Sequence, residues 1–199
     1  MTGRHVHTLP ARYFVELYAS NPDPWRFTSS DYEREKYAAT LQALPRARYA
    51  RALEVGCSIG VFTRELGQRC SGLVALDVAP SAIEAARERC ADLPRIDFLV
   101  GAVPEVWPEG RFDLIVLSEV LYFLDRDDLA RLAAKVGRSL TSGGECVLVH
   151  WTGETDYPLS GDEAVERFIE EASPFCRPLA QWRTEQYRLD VLRLGHEAG

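Results

Sequence analysis

Apolar and polar positions along the chain follow two periods, and the switches between them mark the element boundaries. Ala-Leu-Glu-Val at 52–55, Gly-Leu-Val-Ala-Leu-Asp at 72–77, Ile96 to Val100 and Cys-Val-Leu-Val-His-Trp at 146–151 read as short strands. Phe-Asp-Leu-Ile-Val-Leu-Ser at 112–118 is a near-continuous apolar run, the pattern of a strand buried on both faces. Helical spacing fills the gaps. A short apolar helix is expected over 10–19, followed by the stiff turn Asn21-Pro22-Asp23-Pro24-Trp25. Ser30 with Glu33 spells a capping box, and Tyr37, Leu41 and Leu44 continue at helical spacing up to Pro45. Residues 61–70 are amphipathic. Ser81 with Glu84 is expected to open a helix ending near Cys90. Leu129, Leu132, Val136 and Leu140 form one stripe that Gly143-Gly144 should stop, and the acids of Asp-Arg-Asp-Asp at 125–128 suit its positive end. Ser160 with Glu163 caps a helix carrying Val165, Phe168, Ile169 and Ala172, and residues 177–183 and 186–194 alternate like two strands. Residues 1–9 carry no regular pattern.

Strands alternating with helices predict a parallel central sheet. The expected fold class is α/β: a Rossmann-like, doubly wound, mostly parallel seven-stranded sheet with helices on both faces and N-terminal capping helices. Residues 1–45 read as a helical lid that is part of the same domain as 46–199.

In such a sheet, ligands bind beyond the carboxyl ends of the strands. Those ends collect Glu54 to Gly60, Asp77-Val78, Gly101-Ala102-Val103, Ser118-Glu119 and His150-Trp151. The first stretch, Glu-Val-Gly-Cys-Ser-Ile-Gly, runs from strand to helix. Gly56 has no Cβ, so the backbone can turn tightly against a ligand, and the following helix presents its first amide groups to it. Asp77 lies roughly 20 residues further on, where a carboxylate at the next strand tip accepts from two ribose hydroxyls. The arrangement reads as a nucleoside-binding half of the sheet.

Composition narrows the function classes. The chain has 199 residues, 46% of them hydrophobic, enough for one good core and one domain. A net charge of −7 argues against sequence-independent nucleic-acid binding, which needs a basic surface. With no transmembrane or secretory pattern, no membrane association and a cytoplasmic location are expected. The five cysteines include no CxxC pair and the four histidines are scattered, so reduced, mostly buried thiols and no metal are expected.

The segment Glu-Val-Gly-Cys-Ser-Ile-Gly, with an acid two residues before the first glycine, resembles motif I of class I S-adenosylmethionine-dependent methyltransferases. The resemblance continues through residues 76–87, 112–125 and 140–151 and covers about residues 30–155. More narrowly, Asp-Pro-Trp-Arg at 23–26, Tyr-Glu-Arg-Glu-Lys at 32–36, residues 53–66 and Leu-Ser-Glu-Val-Leu-Tyr-Phe-Leu at 117–124 look like the nodulation N-methyltransferase (NodS-type) group. That group methylates an amine on a deacetylated chitooligosaccharide. The resemblance implies S-adenosyl-L-methionine as cofactor. It places Glu54, Gly56, Cys57, Ser58 and Gly60 at the methionine end, Asp77 at the ribose, Val78 on the adenine face, and Ala102 and Val103 at the adenine edge. It places Ser118 and Glu119 near the sulfonium methyl. Many relatives have an aspartate where this chain has Ala102, so backbone bonds and packing are expected to hold adenine. Ser142 replaces the usual proline before Gly143-Gly144.

Methyl transfer asks for placement, exclusion of water and removal of one proton from an amine. Glu119, Tyr122 and His150 are the candidate proton acceptors, and Trp25 and Tyr32 the candidate lid residues. Several site candidates have a structural alternative: Asp77 in a surface turn, Glu119 as a helix cap, His150 hydrogen-bonded in the core, Tyr122 packed in the core, Trp25 stapling the N-terminal helices. The implied function is small-molecule methylation, on the nitrogen of an amino sugar or oligosaccharide by resemblance alone. O-methylation of a small metabolite is the alternative. Gly56 to Gly60 also spells GxSxG, the nucleophile elbow of α/β serine hydrolases, with His150 or His196 as partner, but too few strands precede it and Asp77 is left without a role. A nicotinamide dehydrogenase would want glycine at Ser58, and a non-catalytic partner protein of this fold is the third rival. The partner expected is a small-molecule acceptor and not nucleic acid, with the chain a monomer or a homodimer.

Overall fold

The computed structural model describes residues 3–195. The described residues fall into two compact units, Pro10–Ala102 and, separately, residues 103–195 together with residues 3–9. The first unit holds α1 (Ala11–Ser20), α2 (Asp31–Ala43), β1 (Ala52–Val55), α3 (Val61–Gly67), β2 (Leu73–Asp77), α4 (Pro80–Arg89) and β3 (Ile96–Val100). The second holds β4 (Phe112–Ser118), a single 3-10 turn at Leu121–Phe123, α5 (Arg126–Ser139), β5 (Leu140–Trp151), α6 (Gly161–Ala172), β6 (Cys176–Arg183) and β7 (Tyr187–Leu194). The strands form a seven-stranded sheet in the order β3-β2-β1-β4-β5-β7-β6. Strand β2 pairs in parallel with β1 and β3, and β4 with β5. Strand β7 runs against both its neighbours, β5 and β6. This is the mostly parallel sheet that the alternating pattern predicts.

In the first unit β1 and β2 are buried along their whole length, and α4 lays Ala82, Ile83 and Ala86 on the sheet side. Cys57, Ala75 and Ile83 form a buried cluster against which Ile96 and Phe98 pack. In the second unit Leu114 to Leu117 are buried, as the apolar run requires, and α5 and α6 bury Leu129, Leu132, Val136, Val165 and Phe168. Two capping residues act as their sequence pattern predicts: the Ser30 and Ser160 hydroxyls accept from the Glu33 and Glu163 amides. Asp125 caps α5 by accepting from the Asp128 amide. Among the described residues no helix is long and apolar enough to cross a membrane.

Two local expectations differ from the structure. Helix α4 starts at Pro80 and not at a Ser81 cap: proline suits the first helical position, and the Ala79 amide is taken by the Asp77 carboxylate at 2.9 Å. Helix α5 stops at Ser139, ahead of the glycines, because Leu140 turns extended and pairs with the buried Phe112. The glycines then fall in a register shift of β5, between the Phe112–Leu140 and Leu114–Glu145 pairs. Residues 3–9 are irregular but tied down. The Thr8 amide donates to Asp125, the Thr8 hydroxyl to Asp128 at 2.6 Å, and the Leu9 and His5 amides to the Phe123 and Asp156 carbonyls.

Candidate functional site

The first unit carries the glycine turn. Gly56, Ser58 and Gly60 have φ of 83°, 49° and 78°, so three residues within five lie in the left-handed region. Glycine adopts it freely; serine does so only when its surroundings hold it there. Gly60 meets a second demand, because a Cβ there would sit 2.8 Å from the Ala86 Cα of α4. The turn is pinned from both sides. The Gly56 and Cys57 amides donate to the Leu76 carbonyl at 2.8 and 3.0 Å, and the Ser58 amide donates to Asp77 Oδ2 at 2.9 Å. Asp77 thus closes the tip of β2 over the turn, accepting from Ser58 on one oxygen and from Ala79 on the other. Each carboxylate oxygen accepts more than one hydrogen bond, so both retain acceptor capacity.

Burial sets the electrostatics here. Glu54, at 1% exposure, is pushed up to about 8, first by burial and also by the Asp77 charge. Its Oε2 is buried without a hydrogen-bond partner. Asp77 is also raised by burial, against the pull of the Ala79, Ser58 and Val78 amides. The Cys57 thiol is held well above its usual value by burial and then by Asp77 and Glu54, so it stays a thiol. Two buried acids beside this turn suit a ligand that brings cationic donors and hydroxyls. A folded carboxyl that binds its proton more tightly than the unfolded one stabilises the fold at low pH and loses that contribution as pH rises through the folded value. Between about pH 5 and 8, Glu54 should therefore make stability fall by up to about 1.4 kcal/mol per pH unit. Denaturant titrations of wild type and Glu54→Gln across that range should diverge accordingly; parallel curves would show that Glu54 ionises normally.

Around the turn, Val78 and Ala102 are half-buried at the tips of β2 and β3. Trp25 lies in the loop after α1, with the Tyr18 ring edge-on at 5.8 Å. Tyr32 lies on α2 with Lys36 Nζ 5.0 Å over its ring, and Lys36 is buried in an ion pair with Glu33 at 3.0 Å. One residue that the sequence pattern did not single out joins the turn: the Tyr18 hydroxyl is hydrogen-bonded to the Ser58 hydroxyl. Four residues after Phe14 on a short apolar helix, Tyr18 reads as core, and only the fold shows its polar end.

The second unit holds Val103, Ser118, Glu119, Tyr122 and His150. Val103 is buried and Ser118 half-buried. Glu119 extends β4 by one bond, its amide donating to the Val149 carbonyl at 2.9 Å, then turns left-handed with φ 55°. That turn swings the carboxylate back over β5. Oε2 accepts from the Tyr122 hydroxyl at 2.6 Å and from the Trp151 amide at 2.9 Å. The spacing of three therefore brings Glu119 and Tyr122 together, through a 3-10 turn. Tyr157, which carried no sequence signal beyond its place in the loop after β5, stacks on Tyr122 with centroids 5.3 Å apart and an interplanar angle of 23°. Its loop is held by the Leu159 amide, which donates to the Tyr122 carbonyl.

His150 is corrected by this geometry. Its imidazole is fully buried, and Nε2 accepts from the Leu121 and Val120 amides at 3.0 and 3.3 Å. An Nε2 lone pair committed to two backbone donors is not available to a substrate proton. His150 holds the 3-10 turn that carries Tyr122, whose ring meets it edge-on at 5.5 Å. The hydrolase alternative fails on the same atoms: Ser58 Oγ meets Tyr18 and His150 Nε2 is engaged by backbone, while His196 lies outside the described residues.

A mostly parallel seven-stranded sheet with a glycine turn after β1 and an acid at the tip of β2 defines the fold class of S-adenosylmethionine-dependent methyltransferases. A family model described as Nodulation protein S (NodS) matches residues 12–147, and the chain belongs to that family. It is 40% identical over 129 residues to Nodulation protein S of Rhizobium tropici, covering 63% of this chain and 53% of that one. With Nodulation protein S of Sinorhizobium fredii it shares 37% identity over 115 residues, 57% and 52% of the two chains. The chain thus matches about half the length of these relatives. The fold resembles the crystal structure of N-methyltransferase NodS from Bradyrhizobium japonicum WM9 in complex with S-adenosyl-L-homocysteine. That likeness has a TM-score of 0.79 at 24% identity and covers 92% of this chain and 98% of the other. A putative methyltransferase from Pseudomonas syringae is 37% identical with a TM-score of 0.71, covering 81% and 98%.

Proposed function

We propose that the protein is an S-adenosylmethionine-dependent N-methyltransferase whose acceptor is the amine of an amino sugar or amino-sugar oligosaccharide. The observation that carries the cofactor half is the Ser58–Asp77 closure of a left-handed glycine turn, with the buried Glu54 Oε2 lacking a partner beside it. The cofactor supplies an electrophilic methyl on a sulfonium. In this reading Glu54 accepts from the ammonium of the methionine end, and Gly56, Cys57, Ser58 and Gly60 give that end its backbone groups. Asp77 accepts from the ribose hydroxyls, Val78 packs on the adenine face, and Ala102 and Val103 border its edge. Ser118 serves the methyl-donor end. Trp25 and Tyr32 act as lid residues, and the chain works in the cytoplasm.

The preference for nitrogen has a chemical support in the second unit. A protonated amine must lose a proton before its lone pair can attack, and Glu119 is a carboxylate already accepting hydrogen bonds. Tyr122, by donating to Oε2, and His150, by bracing the turn, hold that carboxylate in one orientation. With that cofactor bound, its methyl would pass to the neutral nitrogen, and Glu119, held by Tyr122 and the Trp151 amide, would take the amine proton.

The test combines binding and transfer. S-adenosylhomocysteine at a hundredfold excess over its Kd should add about 2.7 kcal/mol of stability, raising Tm by roughly 5–10 °C for a chain of this size; NAD should not. With methyl-labelled cofactor, label should enter glucosamine and deacetylated chitooligosaccharides but not their N-acetylated forms, with mass spectrometry placing it on nitrogen. Label in phenols or carboxylic acids alone would replace the proposal by O-methylation.

A further inference from the structure

Beyond these assignments, the Tyr18 hydroxyl stands out as a polar group that no step above uses. Tyr18 is 5% exposed, at the last turn of α1, and its hydroxyl meets Ser58 Oγ. Ser58 is the one non-glycine residue held left-handed within the turn, at φ 49°. A serine in that region persists only when neighbouring bonds over-determine it. Two such bonds exist, from its amide to Asp77 Oδ2 at 2.9 Å and between its hydroxyl and Tyr18. The three groups form a chain, Tyr18 to Ser58 to Asp77, running from the N-terminal helix to the carboxylate assigned to the ribose.

The aromatic packing of the first unit fixes the near end of that chain. Tyr18 meets Trp25 edge-on at 5.8 Å, Trp25 meets Phe27 at 5.6 Å, Phe27 meets Tyr37 at 6.4 Å, and Tyr37 meets Phe62 at 5.1 Å. Phe62 is in the first turn of α3, directly after the glycine turn. The rings therefore leave the turn at α3, pass through α2 and the loop after α1, and return to it at Ser58. Asp23 holds the loop in shape by accepting from the Phe27 amide at 2.8 Å and the Thr28 amide at 3.0 Å.

We infer that Tyr18 is a positioning residue for the cofactor: its hydroxyl, through Ser58, fixes the turn and with it the orientation of the Asp77 carboxylate. This rests on the cofactor reading of the turn. It makes the N-terminal helix part of the machinery for binding the adenosyl ligand, where the lid reading of residues 1–45 asks only for cover. Burial and the Asp77 charge both raise the Tyr18 phenol, so the hydroxyl keeps its proton across the working range.

The test is a double-mutant cycle on S-adenosylhomocysteine affinity, by calorimetry, with wild type, Tyr18→Phe, Ser58→Ala and the double variant. Tyr18→Phe keeps the ring and its aromatic neighbours, so a role in packing alone predicts unchanged affinity. The inference predicts a loss of about tenfold in each single variant and nearly the same loss in the double, since both remove one contact. Wild-type affinity in Tyr18→Phe would overturn it, as would losses that multiply in the double variant. Should Ser58→Ala be poorly folded, Tyr18→Phe with Ser58→Gly gives the same cycle, because glycine removes the hydroxyl while accepting the φ of 49°. Wild-type protein that does not bind S-adenosylhomocysteine would sink the cofactor reading itself and this inference with it, which separates the two failures.

Discussion

Glu119→Gln is expected to lower turnover by roughly a hundred- to a thousandfold while leaving cofactor affinity within about threefold. General-base catalysis by a placed carboxylate contributes about 10²–10⁴-fold, and glutamine keeps the shape without the basicity. The amide oxygen of the substituted side chain can still accept from Tyr122 and from the Trp151 amide, as Glu119 Oε2 does at 2.6 and 2.9 Å. The turn should survive, so the loss would report on proton transfer and not on folding. Tyr122→Phe removes one donor to Oε2 and should cost about tenfold, in line with a hydrogen bond to a charged group. The measurement is steady-state turnover on the acceptor identified by the labelling screen, with S-adenosylhomocysteine affinity measured beside it. Equal losses in turnover and affinity would move Glu119 into the cofactor shell. Raised activity for the amine at high pH in Glu119→Gln, where the free amine needs no base, would support the assignment further.

Asp77→Ala should weaken S-adenosylhomocysteine binding by on the order of 1–3 kcal/mol, roughly ten- to a hundredfold, through lost bonds to an ionised group. Two sources would contribute to that loss. One is the direct contact assigned to the ribose. The other is internal: the Ser58 and Ala79 amides each donate to this carboxylate at 2.9 Å, and alanine leaves both without it. Asp77→Asn separates them, because one oxygen survives to accept from one amide while the charge is gone. Its affinity should fall between wild type and alanine. Calorimetry showing unchanged affinity in Asp77→Ala would remove Asp77 from the ribose. The Ala79 amide opens α4, so a modest fall in Tm should accompany the alanine variant even without ligand.

Some of this architecture is readable in the order of residues alone. Apolar runs at 52–55, 73–77 and 112–118 bury on both faces and therefore lose the alternation of a half-exposed strand. Capping pairs at Ser30 and Ser160 are local, and they formed as their spacing predicts. Local signals failed where a longer-range partner competed. The Asp77 carboxylate took the Ala79 amide, so Pro80 and not Ser81 begins α4. Burial of Leu140 against Phe112 ended α5 before the glycines that looked like its stop.

The candidate site divides along the same line. The sequence marks Glu54, Gly56, Gly60, Asp77 and Glu119 as candidates, because polar and small residues at apolar strand ends have few structural reasons to be there. What each group does with its atoms was decided by tertiary contacts alone. His150 is a strand-tip histidine in the sequence, yet its Nε2 commits its lone pair to the Val120 and Leu121 amides. Tyr18 and Tyr157 look like packing residues, yet one meets Ser58 through its hydroxyl and the other stacks on the tyrosine that orients Glu119. Period and spacing report which face a residue occupies; a hydrogen-bond partner from another element, tens of residues away, leaves no mark in either.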